Sequence, residues 1–104
     1  MLPLSYRGMS PVEVMERVAK VLQQYPRVQI LELSENYLHA TFTTRWLRFV
    51  DDVEFWADHT TALLHFRSAS RVGYSDLGAN SRRMEQVAQR LMEVGFAPSK
   101  AVSS

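Results

Sequence analysis

No cysteine occurs anywhere in the 104 residues. A disulfide, a thiol nucleophile and a thiolate metal site are therefore excluded. The lack fits a reducing compartment without requiring one, because exported domains also do without disulfides. No apolar run approaches the roughly 20 residues that span a bilayer. Met1 to Ser10 has neither the basic start nor the apolar stretch of a signal peptide. Net charge is low as well, at +1, so no global field gathers nucleic acid or anionic lipid. Internal repeats, low-complexity tracts and domain linkers are missing too.

What is present suits one hydrophobic core. Aliphatic and aromatic residues make up 46% of the chain, enough to fold as a single domain over residues 1–96, with a flexible tail over 97–104. Ten of the 12 basic residues are Arg. Arg is the side chain of bidentate carboxylate and phosphate contacts, although genomic base composition produces the same bias.

The chain opens on an irregular lead-in, broken by Pro3 and Gly8. Ser10-Pro11-Val12-Glu13 starts a helix over about 10–24: Ser10 caps, Pro11 fits the first turn and Glu13 completes a capping box. Val14, Met15, Val18, Val21 and Leu22 form its apolar face, and Tyr25-Pro26 ends it. Alternation of period 2 then marks strands over Arg27–Glu32, Tyr37–Thr44, Phe49–Asp58 and Ala62–Ser70. After a loop over Gly73–Gly78, Asn80 caps a second helix with Met84, Val87, Ala88, Leu91 and Met92 on its apolar face, and Gly95 stands as its C-terminal cap. Short turns imply antiparallel pairing. The fold class expected is α+β, with two layers: a four-stranded antiparallel meander sheet, and N- and C-terminal helices packed on one face. The covered face carries Val28, Ile30, Leu38, Phe42, Val53, Phe55, Leu64 and Phe66.

The least core-like run is Arg67 to Asn80. Its Arg67, Ser68, Ser70, Arg71, Ser75, Asp76 and Asn80, with Asp51, Asp52 and His65 from neighbouring strands, are the candidate ligand-binding residues. Gly73 and Gly78 permit positive φ, and Asp76 can close a turn. Arg82 and Arg83 stand at a helix start, where the dipole disfavours cations. A bound or internal carboxylate would offset that cost. Two readings stay open: a site for a small anionic or polar ligand, or a loop tied to the sheet by Arg71, Asp51 and Asp76.

The other sheet face carries Tyr37, His39, Asp52, Glu54, Trp56, His65 and Arg67. It reads as a solvated face with cross-strand ion pairs, or as a ligand surface walled by the aromatics. His39, His65 and Asp52 or Glu54 make a two-His, one-carboxylate set on paper, but their spacing matches no compact metal motif. Neither metal nor cofactor is expected. Ser68 or Ser70, His65 and Asp76 make a triad on paper, without a nucleophile-elbow pattern. Asp51 and Asp52 point to opposite faces of a strand, and one of them is expected to pair with Arg67 or Arg71.

Phe49-Val50-Asp51-Asp52-Val53-Glu54-Phe55, the run Arg67-Ser68-Ala69-Ser70-Arg71-Val72-Gly73-Tyr74-Ser75-Asp76-Leu77-Gly78 with Asn80, Tyr37-Leu38-His39-Ala40 and Leu2-Pro3-Leu4 together resemble the domain-of-unknown-function family 1499. The resemblance covers about Leu2 to Leu91. It implies a bacterial or photosynthetic-eukaryote setting, with some members behind export or plastid-targeting sequences, and no established activity. The Pro-Asn-Cys-Val-Ser segment common in that family is missing here. The expectation is a cytoplasmic protein if the chain is complete, and an exported or plastid one if trimmed.

Three functions are compatible with these residues. The first is a non-catalytic binding module for a small anionic or polar ligand. The second is a small hydrolase-like or isomerase-like enzyme using Asp52, His65 and Arg67. The third is a structural subunit that meets a protein partner through exposed Trp46 and Trp56. None of them calls for nucleic acid or a transmembrane segment.

Overall fold

A computed structural model describes residues 2–46, 48–71 and 79–99. In chain order the elements are β1 (Leu4–Ser5), α1 (Pro11–Leu22), β2 (Val28–Leu33), β3 (Tyr37–Thr43), β4 (Val50–Asp58), β5 (Leu63–Ser70), α2 (Ala79–Glu93) and β6 (Ala97–Pro98). The α+β class and the antiparallel meander of β2 to β5 are as the alternation predicts. The sheet, however, has six strands in the order β2-β3-β4-β5-β1-β6, not four.

The two added strands come from the lead-in and the tail. Leu4 and Ser5 pair with Leu64 and Leu63 on one side, and with Pro98 and Ala97 on the other. Two residues carry no readable period, and Pro3, Gly8 and Pro98 look like breakers. Pro98 sits on the outermost strand, where a sheet tolerates proline. The lead-in thus lies against β5. At the far edge, β2 carries a bulge between Ile30 and Glu32. The bulge leaves Leu31 without a partner and brings Leu33 opposite the buried Leu38, and both leucines stay exposed at this edge.

The helices form where local chemistry dictates. Ser10 Oγ accepts from the Glu13 amide at 3.2 Å, and the Glu13 carboxylate accepts from the Ser10 amide at 2.9 Å. Pro11 occupies the first turn. The second helix opens at Ala79, so Asn80 lies within its first turn instead of preceding it. Gly95 follows its end at φ +114°, a left-handed conformation that suits glycine.

Both helices cover the face bearing Leu38, Phe42, Val53, Phe55 and Leu64, all buried. Val14, Val18 and Leu22 of α1 and Met84, Val87 and Leu91 of α2 complete this core, with Val28, Ile30 and Phe66 packed partly against it. Phe96, just beyond α2, is buried in it as well. Among the described residues no helix is long and apolar enough to cross a membrane.

Candidate functional site

Antiparallel register places charges on the uncovered face in two parallel rows. Glu54 stands opposite Arg67, and Tyr37 lies one diagonal step away on β3. Tyr37 donates its hydroxyl to Glu54 Oε2 at 2.6 Å, and Arg67 Nε donates to Oε1 at 2.6 Å. Asp52 repeats the pattern. His39 Nε2 lies 2.8 Å from Asp52 Oδ1, while Arg71 donates Nε to Oδ2 at 2.8 Å and a terminal nitrogen to Oδ1 at 3.0 Å. A third row stacks Trp56 on His65, with ring centroids 5.5 Å apart and planes 14° from parallel.

These contacts set the acidities. Arg71's donors, helped by His39, hold Asp52 down to about 2. The Tyr37 hydroxyl and Arg67 lower Glu54. The same hydrogen bond to Glu54 pushes Tyr37 up to about 12. A carboxylate so acidic is a weak base at neutral pH, and a phenol at that value is a weak acid.

On the covered face the charge chemistry is different. Asp51 is 2% exposed, inside the alternation of Val53 and Phe55. Its partner comes from the helix layer: Arg83 donates to Asp51 Oδ2 at 2.9 Å and lies 4.6 Å from the centre of the Phe42 ring.

Strand parity therefore divides the residues nominated from sequence. Asp52, His65, Arg67 and Arg71 share the open face, whereas Asp51, Ser68 and Ser70 follow the alternation to the helix side. Asp52, His65 and Arg67 share a face, but each is engaged with a different partner. Ser68 and Ser70 are turned away from His65, so the paper triad is not assembled. Ser75, Asp76 and the side chain of Asn80 lie outside the described residues, as does the loop around Gly73 and Gly78. Among the described residues no three His, Asp or Glu side chains gather as a metal would need.

Sequence reasoning passed over a second cluster. In an up-and-down meander, the start of β2, the end of β3, the start of β4 and the end of β5 lie at one end of the sheet. Arg27, Arg45, Arg48 and Arg71 occupy those junctions, and α2 adds Arg82 and Arg83 from its first turns. A hollow of about 350 Å³ opens there, lined by Tyr25, Pro26, Arg27, Phe42, Thr43, Thr44, Arg45, Arg82, Arg83 and Gln86. A neighbouring hollow of about 310 Å³ shares Arg27 and Thr43 and adds Arg48. Arg27 and Arg48 both adopt left-handed backbone, at φ 57° and 59°, uncommon for a side chain of this size. Arg27 Nε donates to the Thr43 carbonyl at 3.0 Å, and the Arg45 guanidinium lies 4.9 Å from the centre of the Trp46 ring. Among the described residues Arg27, Arg45 and Arg48 have no carboxylate partner. Meander parity was the signal that could have grouped them.

Comparison with family models matches residues 1–91 to one described as "Protein of unknown function (DUF1499)". No curated protein and no solved structure matches the chain.

Proposed function

The chain belongs to the DUF1499 family, whose description as proteins of unknown function assigns no chemistry, and on that premise we propose that it is a non-catalytic module binding a small anionic ligand at the basic end of its sheet. One observation carries the reading: Arg27, Arg45 and Arg48 gather at that end, and among the described residues none of the three has a carboxylate partner. On the open face, by contrast, acids and bases neutralise one another row by row. Nearby, α2 opens with no acidic residue in its first turn, so its dipole adds to the positive potential.

The enzyme reading draws less support. It needs Asp52, His65 and Arg67 to act on one substrate, and each already has a separate partner. The protein-partner reading rests on Trp46, 81% exposed, a single side chain and not a contiguous patch.

Melting temperature is the direct test. Sulfate, phosphate and small carboxylates, compared with chloride at matched ionic strength, should raise it as ligand stabilises the native state. Equal melting in every salt would reject the proposal.

A further inference from the structure

We propose that the hollow between the α1–β2 connection and the start of α2 seats a dianionic phosphoryl group attached to a flat apolar body. This rests on the anion-binding reading above and names its ligand class and its seat.

Charge count favours a dianion over a monocarboxylate. Arg27 and Arg45 reach the hollow from different segments, one just before β2 and the other just after β3. A single negative charge leaves this pair under-compensated. A phosphoryl group offers several acceptor oxygens to forks arriving from different sides. Arg27 is also held in place: its Nε is committed to the Thr43 carbonyl, which orients the guanidinium and leaves its terminal nitrogens for another acceptor.

The apolar body follows from the rest of the lining. Tyr25 and Pro26 form a wall beside the guanidiniums, and Tyr25 is braced edge-to-face on Phe42 at 5.6 Å. The volume, about 350 Å³, falls in the range of small-molecule sites and exceeds what a bare phosphate fills. A polyanionic strand would need the basic path to continue beyond the neighbouring Arg48 hollow, whereas the open face carries Asp52 and Glu54.

Calorimetric titration of the whole chain with phenyl phosphate, inorganic phosphate and benzoate tests this. At constant ionic strength, phenyl phosphate should bind about tenfold or more tighter than inorganic phosphate, and benzoate weakest. Arg45→Ala and Arg27→Gly should each weaken phenyl phosphate by about tenfold or more. Glycine accepts the left-handed backbone at that position, so the second variant keeps the fold. Arg7→Ala, beyond β1 at the opposite end, should change nothing. If phenyl phosphate binds both variants as well as the parent, the seat is elsewhere and this inference falls while the anion-binding reading stands. Equal affinity for phenyl and inorganic phosphate overturns the apolar wall. A single-stranded oligonucleotide binding more tightly than phenyl phosphate overturns the small-molecule class. No response to any anion removes the broader reading as well.

Discussion

Asp51 and Asp52 are adjacent, yet the pleat sends them to opposite faces and opposite chemistries. Asp51 is 2% exposed and depends on Arg83, which reaches it through the helix layer. Arg83→Ala leaves a buried carboxylate unpaired and should cost ~3 kcal/mol or more, read from the urea midpoint. Adding Asp51→Asn to Arg83→Ala should recover part of that loss, and simple additivity of the two would reject the pairing. Asp52 is half-exposed and held by Arg71 and His39. Its folded value of about 2 lies below the ordinary 3.8, so the folded state is favoured while Asp52 is charged. That contribution is fully present above about pH 4 and is lost as the pH falls toward 2. A carboxyl NMR titration should find Asp52 ionising near 2, and Arg71→Ala should move the midpoint upward. An unmoved midpoint would show that Arg71 does not set it.

Elements were legible in proportion to how many residues repeat their pattern. Ser10, Pro11 and Glu13 announce α1, and β3, β4 and β5 alternate over enough positions to be unambiguous. The two-residue strands β1 and β6 offer no period, and the bulge after Ile30 breaks the alternation of β2. Gly95 was readable as a cap, but its neighbours were not. Arg17 of α1 donates to the Val94 carbonyl, and a Cβ built on Gly95 would stand 2.6 Å from that Arg17 nitrogen and 3.0 Å from the Met9 Cε. A side chain there would force left-handed backbone and displace the arginine joining the two helices. Gly95→Ala should therefore lower stability by at least ~1 kcal/mol, measured by urea unfolding. A neutral result would mean that Arg17 swings aside and its bond to Val94 contributes little.

Across the whole molecule, what escaped the sequence is what distant segments do together. The candidate run Arg67–Asn80 reads as one site because its residues are contiguous, yet in its described part the sheet passes between Arg67 and Ser68. The arginines at the basic end looked unrelated because some forty residues of chain separate Arg27 from Arg71. The short pairings at the chain ends carry no sequence signal for the same reason: the lead-in and tail meet only once the core between them exists. β6 pairs with β1, and Phe96 beside it is 3% exposed in the core. Ending the chain after Ser99 retains every core residue described and should leave the unfolding midpoint unchanged. Ending it after Gly95 removes Phe96 and β6 together, and should cost at least ~3 kcal/mol on the scale of deleting a buried phenyl ring. Phe96→Ala in the full chain separates the two contributions, because it empties the ring's site while keeping the β1–β6 pairing. If that variant falls as far as the truncation, the last strand adds register without stability. If it falls much less, the edge pairing itself holds the lead-in, and with it Leu4, against the sheet.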